Sequence, residues 1–254
     1  MNRVALGLSY DGQDFEGWQT QRHGRTVQDR LTSAVQSIAQ DKVILICAGR
    51  TDAGVHARQQ VVHFDTLAYR PISAWVKGVN NSLPASISVQ GAKLVGEDFH
   101  ARFGANSRTY RYYFYSGSVR NPFKRYMTWV HYSLDLNAMR RASNFLLGTH
   151  DFSAFRASEC QAISPVRTLY EVSLVEESDY CYFEITGNAF LYHMVRNMIG
   201  SLMEVGLHRK TEAWFKEVLD SKNRSLASKT YPAQGLILWK IEYPHHFGIQ
   251  ELFV

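Results

Sequence analysis

The sequence predicts an α+β protein made of two consecutive halves with the same element order, β-α-β-β-α-β. Two observations predict it. Strand-like and helix-like periodicities alternate in that order twice along 254 residues. Hydrophobic residues make up 45% of the chain and charged residues 20%. That is enough apolar material for a large core or two packed halves, and too little charge for long disorder.

The elements follow in order. Residues 4–10 read as a strand. Residues 26–40 read as a helix, because Val27, Leu31, Ala34, Val35 and Ile38 recur at helical spacing. Residues 43–48 form a continuous apolar run, the pattern of a buried strand. Residues 60–65 read as a strand, 72–79 as a helix and 87–95 as a strand. In the second half, 108–115 is a strand and 136–147 a helix. Residues 166–175 and 180–186 make a hairpin, 191–205 a helix and 235–241 the last strand. Each half has the split-βαβ, or ferredoxin-like, order. The boundary falls between residues 105 and 106, giving halves 1–105 and 106–254, with no accompanying sequence repeat. Two such halves side by side form one extended mixed sheet with helices on one side. Open sheet faces of this kind often read single-stranded RNA, although fold alone does not give function.

Composition narrows the function classes. No apolar run approaches the length of a membrane span, and the N-terminus lacks the apolar core of a signal peptide. Cys47, Cys160 and Cys181 are an odd number at no metal-ligand spacing, which fits a reduced, cytoplasmic protein. The net charge of +5 favours polyanionic partners without establishing them. Phosphate-cradling loops, His-Glu-x-x-His, Cys-x-x-Cys and Gly-x-Ser-x-Gly are all missing. An isomerase or hydrolase that uses ordinary side chains, with no nucleotide, metal or organic cofactor, fits this pattern.

Three constellations have the residue types for chemistry. The first is Gly49-Arg50-Thr51-Asp52-Ala53-Gly54-Val55-His56. Its glycines allow close backbone approach. In an extended segment Arg50 and Asp52 point the same way; a polar turn around Asp52 accounts for the spacing equally well. The second runs from Phe99 to Leu134, which contains no Asp or Glu. There Arg108 and Arg111 alternate with Tyr110 and Tyr112, and Lys124 and Arg125 follow. Cations hold phosphates while aromatic faces stack on bases, so the mixture suits RNA. High strand propensity places the same rings in a core. The third is the helix around Arg196, which lies at the edge of the stripe Met194, Val195, Met198, Ile199 and Leu202. An arginine there either pairs with a carboxylate or phosphate, or snorkels into water.

Taken together, these stretches resemble the TruA family of tRNA pseudouridine synthases. The resemblance runs through Tyr10-Asp11-Gly12, Gly17-Trp18-Gln19, Thr26-Val27-Gln28 and the block from Cys47 to His56. It continues through Gln60-Val61-Val62-His63-Phe64, Leu83-Pro84, Asp98 to Phe103 and Arg108 to Tyr112. Asp151 to Arg156, Asn188-Ala189-Phe190 and His193 to Asn197 complete it. Residues 67–78 and 207–233 carry little of this signal.

The resemblance implies two ferredoxin-like halves in one mixed sheet, assembled as a homodimer, with tRNA as partner and no cofactor. It implies isomerisation of uridine to pseudouridine at positions 38, 39 and 40 of the anticodon arm. Asp52 is then the catalytic carboxylate of the first half. Tyr110 is the tyrosine that stacks on the flipped uracil, and Arg196 the basic partner of the aspartate, both in the second half. Arg50 is a candidate for orientation or phosphate contact, and Arg108 and Arg111 for substrate binding. Whether Asp52 attacks ribose C1′, attacks the base or removes a ribose proton stays open. A non-catalytic RNA-binding module would keep the basic, aromatic strand without needing Asp52. A metal-dependent nuclease would need clustered carboxylates, yet Asp52 has no acidic neighbour before Asp65.

Overall fold

Ten strands and five α-helices appear in the computed structural model, which describes residues 1–253. The last residue of the expected 106–254 half lies outside the described residues. The chain divides into two compact units. One comprises Met1–Arg108 and the chain from Ile237 onward; the other comprises Thr109–Leu236. Each contains parallel and antiparallel pairings, so each carries mixed sheet.

In the first unit, β1 (Asn2–Tyr10) is central, and its residues Val4, Ala5, Leu6 and Leu8 are buried on both faces. It pairs antiparallel with β3 (His56–Thr66) and β4 (Ile87–Val95). Helix α1 (Val27–Ala39) covers the expected segment. Thr26 and Asp29 close a capping box at its start, and Gln40 ends it in the left-handed conformation. The apolar run 43–48 is only partly the buried strand its composition suggests. Val43, Leu45 and Ala48 are buried, but Ile44 is exposed. Only Ile46–Cys47, β2, pairs with β3, at His63 and Val62. The order is therefore β4-β1-β3, with β2 beside β3. The expected helix 72–79 is a π-helical turn, Ala74–Gly78, leading into the short α2 (Val79–Ser82). Trp75 on that turn packs edge-on against Phe64, with centroids 5.2 Å apart. The closing strand β10 (Leu236–Glu242) lies parallel to the start of β3, with Ile237 opposite His56.

The second unit contains β5 (Ser107–Ser116), β6 (Thr128–Val130), α3 (Leu136–Ser143), β7 (Gly148–Asp151) and β8 (Val166–Glu176). It continues with β9 (Cys181–Gly187), α4 (Met194–Gly206) and α5 (Glu212–Ser221). Its strand order is β5-β9-β8-β7, with β6 parallel to β5. Helix α4 begins three residues later than the periodicity suggests, because His193 is left-handed and closes its N-terminus. It is buried almost all round rather than along one stripe: Asn197, Gly200 and Ser201 are buried as well as the apolar set. Helix α5 was not expected. Its signals are Thr211, whose side chain caps Trp214 N, and Phe215, Val218 and Leu219 at helical spacing.

A buried imidazole gives the first unit a pH dependence. His63 Nδ1 accepts from Ala101 N at 3.1 Å, so the neutral ring is required. Burial, reinforced by His100 and Arg3, lowers its pKa to about 4. Between about pH 6.5 and that value the unfolded chain binds a proton that the folded chain refuses. Stability falls as the pH is lowered across this window and levels off below it. His63→Asn retains an acceptor near Nδ1 and removes the titration. Urea denaturation over a series of pH values is expected to show a smaller acidic loss for this variant, and an identical loss would assign the effect to other groups.

Candidate active site

In the first unit, the block 49–56 is a loop held almost entirely through its backbone. Gln60 Nε2 donates to Gly49 O at 2.6 Å. Trp18 N donates to Thr51 O at 3.0 Å, and Gly54 N to Phe15 O at 3.3 Å. The Thr51 hydroxyl is 2.8 Å from the Tyr10 hydroxyl, in the core. The turn is closed by Val55 N donating to Asp52 O at 3.1 Å. The turn therefore uses the carbonyl of Asp52. Asp52 is half-buried and Arg50 exposed. His56 Nδ1 lies 3.1 Å from Gly12 N and 3.0 Å from Asp11 Oδ1.

Two glycines make this packing possible. Gly17 has φ +86°, and a Cβ there would sit 2.9 Å from Thr51 O and 3.1 Å from Ala53 N. A Cβ on Gly12 would collide with the Val55 carbonyl. The blocks Tyr10-Asp11-Gly12 and Gly17-Trp18-Gln19 are thus the bed of the Asp52 loop. Arg108 also belongs to this unit. It is buried, and its guanidinium donates to the carbonyls of Ala48 (3.2 Å), Ala105 (3.1 Å) and Arg102. It braces the residue that leads into the loop.

In the second unit, Tyr110 on β5 is 8% exposed and meets Phe190 edge-on at 4.9 Å. Arg111 pairs with Glu184 and lies 4.5 Å from the Tyr182 ring. Arg196, in the first turn of α4, is half-buried and donates from Nε to Tyr231 O at 2.8 Å. Sequence reasoning drew nothing from the segment that holds Tyr231.

The acid-free run from Phe99 to Leu134 mixes both readings given for it. Tyr112, Phe114 and Tyr115 are buried, whereas Phe103, Phe123 and Tyr132 are exposed. Several of its cations find acids elsewhere in the chain: Arg111 meets Glu184, and Lys124 is 2.7 Å from Asp179. Arg102 and Arg120 are exposed. Among the described residues no group of three or more His, Cys, Asp or Glu side chains gathers for a metal ion. Among the described residues, too, no helix is long and apolar enough to cross a membrane.

The family model described as tRNA pseudouridine synthase matches residues 8–104 and 142–244. A tRNA pseudouridine synthase A of Bordetella petrii is 49% identical over 254 residues, covering 99% of this chain and 95% of the relative. That of Paraburkholderia xenovorans is 48% identical over 98% of this chain and 93% of the relative. That of Alcanivorax borkumensis is 47% identical over 99% and 95%. Among solved structures, an H/ACA RNP bound to a substrate RNA containing 2′-deoxyuridine is similar at a TM-score of 0.39 and 10% identity. The match covers 79% of this chain and 44% of that one.

The bed beneath the Asp52 loop is testable through stability. Gly17→Ala adds left-handed strain and a clash, and is expected to cost about 2–4 kcal/mol. Gly24 also has positive φ, +67°, but its Cβ would meet nothing within 4 Å. Gly24→Ala therefore isolates the strain, about 1–2 kcal/mol. Equal losses for the two variants in urea denaturation would show that the close approach at Gly17 contributes nothing.

Proposed function

Because the chain belongs to the tRNA pseudouridine synthase family and isomerises uridine in tRNA, we propose that its targets are positions 38, 39 and 40 of the anticodon arm and that Asp52 is the catalytic carboxylate. The observation that carries this reading is the bed under the block 49–56. Sequence-distant residues hold the chain on either side of Asp52: Tyr10 to Thr51, Trp18 N to Thr51 O and Gln60 to Gly49 O before it, and Gly54 N to Phe15 O after it. A loop so braced holds one short side chain at a constant place, as covalent or acid–base chemistry requires.

The reaction breaks the N1–C1′ bond of uridine, turns the base and forms a C5–C1′ bond, after which C5 loses its proton. Atoms and electrons balance without an external oxidant or reductant. The target base leaves its stack to react. In the proposed scheme Asp52 attacks C1′ or the base, or removes a ribose proton. Tyr110 stacks on the flipped uracil. Arg196 pairs with Asp52 and aims it, since a bidentate guanidinium fixes the orientation of a carboxylate. Arg50, exposed within the loop, is assigned to a phosphate contact. The partners of Arg108 and Arg111 give them bracing roles as well as any part in substrate binding. The protein acts as a homodimer in the cytoplasm, where its three free cysteines remain reduced.

Incubation of the purified protein with unmodified tRNA in EDTA is expected to yield pseudouridine at the three positions. Asp52→Asn is nearly isosteric and is expected to abolish conversion while tRNA affinity stays within about twofold. Substantial turnover by this variant would remove Asp52 from the mechanism. For Tyr110, Phe keeps the ring and Ala loses it. If stacking dominates, Phe is expected to bind the uridine more tightly than Ala by about 1–3 kcal/mol. Wild-type behaviour of both variants would exclude a role at the base.

A further inference from the structure

The segment after α5 runs along one face of α4 and reaches Arg196 at Tyr231. Ser228 N donates to Ser201 Oγ at 3.1 Å. The Lys229 carbonyl lies against Gly200 so closely that a Cβ there would overlap it. Thr230 Oγ1 donates to Asn197 Oδ1 at 2.6 Å. Tyr231 brackets Arg196: its N donates to Arg196 O at 3.2 Å and its O accepts from Arg196 Nε at 2.8 Å. Residues 228, 229, 230 and 231 thus meet 201, 200, 197 and 196, antiparallel along one helix face. One residue further, Pro232 O accepts from the Tyr112 hydroxyl at 2.7 Å. Tyr112 lies on β5, two residues beyond Tyr110 and on the same side of the strand.

These contacts have more than a packing use. Asn197 is fully buried and donates from Nδ2 to Phe155 O at 2.8 Å. Its Oδ1 takes Thr230 Oγ1 and, at 3.2 Å, Arg224 Nη2. The result is a satisfied polar hub that sets where Tyr231 O lies. Arginine has five N–H donors in a rigid plane. With Nε–H committed to a fixed carbonyl, rotation of that plane is restrained. A bidentate carboxylate contact depends on such aim.

We propose that residues 228–232 are a positioning strap that orients the Arg196 guanidinium and sets its place relative to the Tyr110 strand, with Thr230 and Tyr112 as positioning residues acting through the Tyr231 carbonyl. The inference rests on Arg196 being the partner of the catalytic carboxylate, and its test separates the two. Thr230→Val is close to isosteric and removes the hydroxyl; Thr230→Ser restores it. Single-turnover conversion of tRNA at saturating enzyme is expected to fall about tenfold in Thr230→Val, with tRNA affinity unchanged within about twofold, and to recover in Thr230→Ser. Arg196→Lys has no Nε–H to engage Tyr231. In that background Thr230→Val is expected to cost no more than about a further twofold, because the two changes act through one contact. Losses that multiply in the double variant, or a wild-type rate in Thr230→Val, would overturn the strap. Should Thr230→Val melt below the assay temperature, Tyr112→Phe removes the other anchor by one oxygen and decides by the same criteria. Arg196→Met is the control: a normal rate there would defeat the role of Arg196 itself, whereas an inactive Met variant beside a fully active Thr230→Val would defeat only the strap.

Discussion

Two backbones, around 12–18 and around 51–55, approach each other more closely than any side chain between them would permit. The first unit depends on this constraint. Gly12 and Gly17 stand where Cβ atoms would strike Val55 and Thr51, and the hydrogen bonds at Thr51 and Gly54 follow from the contact. Once the loop is seated, the short reach of an aspartate becomes an advantage. Asp has few rotamers, so fixing the backbone nearly fixes the carboxylate. A longer acid on the same loop would lose more conformational freedom and be aimed less well.

The second unit treats its charged residues differently. Arg111 and Lys124 are matched with Glu184 and Asp179, acids far away in sequence. A stretch without acids in sequence is therefore not a stretch of uncompensated charge in space. Partly exposed pairs of this kind contribute little stability, but they orient their cations. A paired arginine stacked on a tyrosine presents a defined edge, whereas Arg120 of the same unit is exposed to solvent. Polyanion binding uses both kinds: exposed charge for attraction, and fixed donors for register.

Most of the element order was legible because periodicity reports burial. Strand β4 matches its expected limits, and α1, β8 and β9 agree to within a residue or two. What failed did so for physical reasons. The run 43–48 is apolar, yet most of it lacks a ladder, because apolar character records contact with a core and not hydrogen-bond pairing. Strands β6 and β7 have three and four residues, too few for a period to show. The Asp52 loop was legible from its glycines and its motif, but the reason for Gly12 and Gly17 was not, since it lies in residues some forty positions away. The face of α4 under residues 228–231 could have been noticed. Asn197, Gly200 and Ser201 are small or polar residues on one side of an otherwise apolar helix, which marks a backbone crossing rather than a solvent face.

The parallel pairing of β10 with β3 bears on how the chain is made. The polypeptide leaves the first unit at Arg108 and re-enters it at Ile237. Ala57 and its neighbour Leu238 are thus about 180 positions apart. During synthesis, at roughly 5–20 residues per second, the start of β3 waits on the order of ten to thirty seconds for this strand. Throughout that interval the edge just beyond the Asp52 loop has backbone groups without their final partner, a surface open to wrong pairing. The unit whose residues emerge first is therefore completed last, and the nascent chain is most exposed to misassembly beside the Asp52 loop.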